Sequence, residues 1–189
     1  MRLLAGFVLA FVILGTLVNS ICCQSIGSSV SARCRYQAAD VATHIINRAN
    51  STGHGINNLQ LQKLLYLCQC RSLQKMGPTL FDDDVVAWQY GPVVRDVYYA
   101  YAYRGASNIH ESGKTVIDHR TNELRGIEPL EGECLAVVDE VYDAYGDWPV
   151  WSLVSRSRRR GGAWDRIYGD GSGYGASIPD SLMVVEPVL

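Results

Sequence analysis

The stretch Ala87-Trp-Gln-Tyr-Gly-Pro-Val-Val-Arg-Asp-Val-Tyr98 (AWQYGPVVRDVY) carries the densest local signal in the chain. Val86, Trp88 and Tyr90 alternate along an extended run, as a short strand over Val85 to Tyr90 requires. Gly91 permits a turn. Pro92 offers a fixed φ at a first helical position, where a missing N–H costs nothing. Val93, Val94, Val97, Tyr98 and Tyr101 then predict one face of a helix that stops near Gly105.

Outward from this corner, apolar residues recur at helical spacing. Ala38, Val41, Ala42, Ile45, Ile46 and Ala49 predict a helix over Tyr36 to Asn50, broken by Ser-Thr-Gly-His-Gly at 51–55. Asn57 or Asn58 caps a second helix, with Leu61, Leu64, Leu65 and Cys68 as its stripe and Gly77-Pro78 as its end. The runs TVID and ELRGI, between Lys114 and Ile127, predict a small hairpin. Cys134, Val137, Val138, Val141, Tyr142 and Tyr145 mark a third strong stripe closed by Gly146. A shorter helix follows from Pro149 to about Ser157, GDGSGYG (169–175) reads as a flexible linker, and Ile178-Pro179-Asp180 starts a last short helix. The fold class is therefore α-rich: a compact, mainly helical single-domain bundle, or α+β with a short strand or hairpin.

The chain of 189 residues is long enough for one real core, and 48% hydrophobic against 19% charged content describes a globular protein. A net charge of −2 gives no broad basic field, so nucleic acid is not an expected partner. The run Arg156, Arg158, Arg159, Arg160 does not change this, because no stacking platform accompanies it. The N-terminus is different. Arg2 precedes an apolar run from Leu3 to Val18, then a Ser/Gly-rich linker from Ser25 to Arg35. A secretory signal peptide, a spanning helix at the short limit and an over-called start codon all fit this leader. Residues 36–182 are the expected domain and 183–189 a C-terminal tail.

The six cysteines show neither CxxC pairs nor zinc-type spacing. Cys68 and Cys70, two apart on one helix, point in different directions and cannot bridge to each other. They favour a reducing compartment and behave as small hydrophobes. His44, His54, His110 and His119 have no nucleophile or metal partner in sequence, and GxSxG, HExxH and paired-carboxylate patterns are missing. No enzyme, cofactor or metal is expected. Asp82-Asp83-Asp84 reads as a solvated turn, with a divalent ion as the rival reading.

Four blocks then resemble a known family, the Panacea domain of SocA-like antitoxins, to which phage-associated GepA-type proteins are related. They are YQAADVATHIINRA (36–49), LQLQKLLYLCQ (59–69) with Lys63 to Tyr66 in register, LFDDDVVAWQYGPVVRDVY (80–98), and VDEVYDAYGDWPVWSL with GGAWDRIY. The family's Thr-His ahead of Pro-Trp is here Ser157-Arg158 followed by Ala163-Trp164, so no role of that histidine carries over. The leader has no counterpart in the family.

The resemblance implies an intracellular binding protein: a cytoplasmic antitoxin that neutralises a cognate toxin by direct contact. The toxin would come from an adjacent gene, and one branch of the family acts as an adaptor to an ATP-dependent protease. The alternatives are an exported or membrane-tethered interaction protein, contacting a membrane only if the leader is real, and an enzyme assembled from distant side chains. The partner-binding candidates are Lys63, Trp88, Tyr90, Arg95, Tyr99 and Tyr103. Trp88 reads as core or recognition, Lys63 as a snorkelling stem or a partner-facing cation, and Arg95 as a solvated helix-start residue or a contact to an acidic partner. Tyr99 and Tyr103, four apart, would share an exposed helical face.

Overall fold

The computed structural model describes residues 36–189. The leader and linker expected over 1–35 lie outside the described residues. The fold is mainly helical, with two small antiparallel hairpins.

Helix α1 (Ala38–Thr52) buries the expected stripe, and Gly53 ends it at φ +77°. Helix α2 (Asn58–Lys75) begins at Asn57, whose side chain accepts the Gln60 N–H while Gln60 reaches back to the Asn57 N–H. From Leu61 to Cys70 every residue of α2 is buried. The predicted stripe was therefore too narrow: α2 is the central helix, packed against α1, strand β2 (Gly91–Val94), and helices α3 (Arg95–Tyr101), α4 (Gly132–Tyr145), α5 (Val150–Ser157) and α7 (Asp180–Met183). Helices buried all round are normally apolar all round. Here Gln62, Lys63 and Gln69 are inside as well.

Strand β1 (Val85–Trp88) pairs with β2 in the register Val85↔Val94 to Trp88↔Gly91. Pro92 consequently sits in a strand, and α3 starts three residues after it, at Arg95. A 3-10 turn, Ala102–Arg104, ends this segment. The second hairpin, β3 (Thr115–Ile117) with β4 (Leu124–Gly126), lies where TVID and ELRGI predicted it. It is tied to α1 by Asp40, which is wholly buried and ion-paired to Arg125 at 2.7 Å.

The glycine-rich stretch is not a flexible linker. Gly175 N–H donates to Ala87 O at 2.7 Å, Ala87 N–H to Ala176 O at 2.9 Å, and Ile178 N–H to Val85 O at 2.8 Å. These bonds make 175–178 a strap along the outer edge of β1. Gly173 fits because it has no Cβ; one would stand 1.7 Å from Ile167 O, the carbonyl of helix α6 (Ala163–Tyr168). The segment read as a tail is packed too: Met183, Glu186 and Val188 are all buried.

Among the described residues no helix is long and apolar enough to cross a membrane. Cys68 and Cys70 are free and buried. Cys134 is disulfide-bonded, so the cysteines together do not decide the redox compartment.

Candidate functional site

The AWQYGPV corner is held from below by polar side chains of α2. Gln62 Oε1 accepts the Val94 N–H at 2.9 Å, and Lys63 Nζ donates to Pro92 O at 2.8 Å. One helical turn or two further along, Gln69 Oε1 accepts the Leu80 N–H at 2.9 Å and its amide donates to Phe81 O at 3.0 Å. These bonds satisfy backbone groups of the hairpin and of the segment leading into it, which is why three polar residues are tolerated in the middle of the molecule.

Lys63 is thus a buttress and not a partner-facing cation. It is fully buried, so its stem does not snorkel to the surface. Burial, with a smaller contribution from the Arg158 charge, lowers its pKa to about 7. Its closeness to the corner explains Gly91. That residue adopts φ +103°, and a Cβ there would stand 2.9 Å from Ser157 Oγ and 3.0 Å from Lys63 Nζ. Left-handed strain of roughly 1–2 kcal/mol and overpacking of about 1–3 kcal/mol then combine. Gly91→Ala should therefore destabilise by about 2–5 kcal/mol in urea unfolding. A loss below about 0.5 kcal/mol would mean that the corner yields freely.

Above the buttress the aromatic rings gather. Trp88, half-buried, meets Tyr98 edge-on at a centroid distance of 4.9 Å and Tyr99 at 6.1 Å, and stacks with Tyr174 at 6.0 Å. Its carbonyl accepts the Trp164 indole N–H at 2.9 Å, which fixes the strand end. Tyr90, in the turn, meets Trp151 of α5 edge-on at 6.1 Å. Several of these rings are open to solvent: Tyr90 is 50% exposed, Tyr99 63%, Trp151 61% and Tyr174 60%. Exposed large rings in this number are unusual on a surface with no binding task.

Of the six candidates, Trp88 and Tyr99 join the ring cluster with Tyr98 and Tyr174, and Tyr90 pairs with Trp151. Tyr103 is 73% exposed and lies under the Arg104 guanidinium at 5.1 Å. It lies in the 3-10 turn that follows α3, beyond that helix's end at Tyr101. Arg95 is exposed and lines a polar hollow with Asp82, Asp84 and His119. Trp151 and Tyr174 were missed. The signal available was an isolated aromatic at a helix position beside Trp-Pro, and a lone tyrosine among glycines.

Other sequence features are absorbed by packing. Arg159 Nε donates to buried Glu186 at 2.7 Å, Arg156 lies 3.7 Å from the same carboxylate, and Arg158 lies over the Trp164 ring at 4.6 Å. The basic run therefore anchors the C-terminal segment more than it presents a charged face. His44 is bonded to Asp139 of α4 at 2.9 Å.

Within the acidic triplet Asp82 and Asp84 are exposed, while Asp83 turns inward. Its Oδ2 accepts the Ala38 N–H at the start of α1 at 2.7 Å, and burial pushes its pKa up. His119 stands between two carboxylates, 3.8 Å from Asp83 Oδ1 and 3.2 Å from Asp96 Oδ2. One ligand atom from each of Asp83, Asp96 and His119 falls within a 4.8 Å span, so these are the described residues able to hold a metal ion.

Comparison with known proteins bears directly on this corner. The family model for the antitoxin SocA-like Panacea domain matches residues 61–165. The chain belongs to the Panacea-domain family. The matched segment runs from α2 through the hairpin and α3 to α6, so it contains the buttress, Trp88, Tyr90, Tyr99 and Trp151. A curated Panacea relative is "Antitoxin SocA" of Caulobacter vibrioides (strain NA1000 / CB15N), 28% identical over 159 residues, covering 80% of this chain and 79% of that protein. No solved structure matches the chain.

Proposed function

We propose that this protein is an antitoxin that neutralises a cognate toxin by direct, non-covalent contact through the aromatic surface of the corner. One observation carries the reading. Tyr90, Tyr99, Trp151 and Tyr174 hold exposed rings on elements pinned by the α2 buttress and the strap. Tyr and Trp dominate interface hot spots, and rings fixed in advance lose little entropy on binding. Membership of an antitoxin family supplies the kind of partner. The remaining candidates take graded roles: Trp88 presents an edge, Arg95 and Tyr103 lie outside the ring cluster, and Lys63 acts only through the corner it supports.

The test is co-expression with the product of the adjacent small gene in a host that lacks both. Growth should be arrested by that product alone and restored by this protein. Tyr90→Ala with Tyr99→Ala should reduce rescue and weaken co-purification by at least about tenfold, or 1.4 kcal/mol, with the thermal melt nearly unchanged. A harmless neighbour, or full rescue by the double variant, would remove the reading. Toxin abundance measured in the rescued cells separates masking, which leaves the toxin level intact, from delivery to an ATP-dependent protease, which depletes it. Intact mass of the cellular protein separates a cytoplasmic product from an exported one with a cleaved leader.

A further inference from the structure

A cleft of about 410 Å³ opens between α1, α3 and the β3–β4 hairpin. Ala39, Val97, Ala100, Val116, Ile117 and Ile127 give it apolar walls, and its volume lies in the range of real ligand sites. Two observations set it apart from a packing gap. Thr43, itself buried, lines the cleft, and its hydroxyl has no hydrogen-bond partner in the structure. At one end the cleft reaches Asp83, Asp96 and His119, where it meets the hollow lined by Asp82, Asp84 and Arg95. Four carboxylates there face one guanidinium and one imidazole. Asp83 is preset by the Ala38 N–H, whereas Asp96 is open to solvent.

We infer that this cleft receives a segment of the bound toxin in which an apolar side chain adjoins an arginine or lysine. The apolar group fills the cleft, and the cation lies against Asp96 and Asp83. The identity of the partner rests on the antitoxin reading; the chemistry of the segment rests on the cleft. Charge complementarity selects a cation and rejects an acidic segment. Tyr99 selects a polypeptide, because it lines the cleft and also touches Trp88, so a chain lying across the exposed rings reaches the acidic end. A metal ion fits less well, since His119 turns its two ring nitrogens toward different carboxylates.

The experiment titrates the ¹⁵N-labelled full chain with acetyl-Leu-Arg-Leu amide, and separately with acetyl-Leu-Glu-Leu amide. The arginine peptide should move the amides of Val97, Ala100 and Val116, and the glutamate peptide should not. Asp96→Lys should weaken the arginine peptide by about tenfold and give the glutamate peptide measurable binding, a reversal that simple loss of structure cannot produce. Ala100→Trp, at an exposed helix position that lines the cleft, should abolish the response to the arginine peptide with the melt unchanged. Equal responses to the two peptides, no shift at these amides, or the same shifts from Zn²⁺ alone with the peptide excluded would each overturn the inference. Failure here with growth rescue intact removes only the cleft from the account. Peptide binding without rescue leaves a peptide site and removes the antitoxin reading.

Discussion

Asp40→Ala should lower the unfolding free energy by about 3–5 kcal/mol, the cost of breaking a buried charge pair from one side. The carboxylate is out of reach of solvent and accepts four hydrogen bonds. Two come from backbone, the Gln37 N–H at 2.9 Å and the Glu128 N–H at 2.8 Å. Two come from Arg125, at 3.0 Å and 2.7 Å. Alanine would take from Arg125 its buried counter-ion, leaving it Asp118 at 3.5 Å and Gln37 Oε1 at 2.9 Å, and would leave both amides open. The loss also loosens the β3–β4 hairpin on α1, where the Gln37 bonds to Ile117 O and Arg125 still hold it, so amide exchange should accelerate there before it does in α2. Asp40→Asn keeps the shape and one acceptor and should cost less. Urea unfolding followed by circular dichroism decides the matter. A change below about 1 kcal/mol would show Arg125 escaping to water and the hairpin holding without it.

The second large effect is a stability that climbs with alkali. Lys63 has a folded pKa near 7 against an ordinary value of 10.5. Between these limits the unfolded chain carries a proton that the folded chain does not, so unfolding takes up a proton. Stability therefore rises as pH increases from about 7, with a slope of up to about 1.4 kcal/mol per pH unit from this one group. The contribution levels off near the ordinary lysine value, and below about 7 both states are protonated and the slope vanishes. Lys63→Met should remove it. The variant also leaves Pro92 O without its donor, at a cost of about 1–3 kcal/mol, but that cost does not vary with pH. The readout is the difference in unfolding free energy between wild type and variant at several values from pH 7 to pH 9.5. A difference that stays flat would mean the ammonium keeps its charge inside the protein.

These residues also mark where local sequence reading ends. The stripes of α1 and α4, the Asn57 cap and the small hairpin were legible because each depends on residues within a few positions of one another. The antitoxin family was legible for a related reason, since its motif blocks are contiguous. Pro92 was misplaced into a helix because Gly-Pro chemistry suits a helix start, whereas pairing with β1 and the α2 side chains hold it in a strand. Lys63 gave the pattern of a surface stem because burial of α2 on all sides comes from six other elements. Glycine-rich composition hid the strap, whose order comes from β1, some ninety residues earlier in the chain. The acidic end of the cleft joins positions 83, 96 and 119, and no local pattern connects them.

The hairpin at the centre of the proposed interface has both its flanks closed. On one side the strap takes up the amide and carbonyl of Ala87; on the other, Gln62 and Lys63 take up those of Val94 and Pro92. Short strands beside exposed aromatics ordinarily invite another copy to add on and extend the sheet. Here the amide and carbonyl of Ala87, the amide of Val94 and the carbonyl of Pro92 are already taken, so this hairpin does not offer them to a strand from another copy.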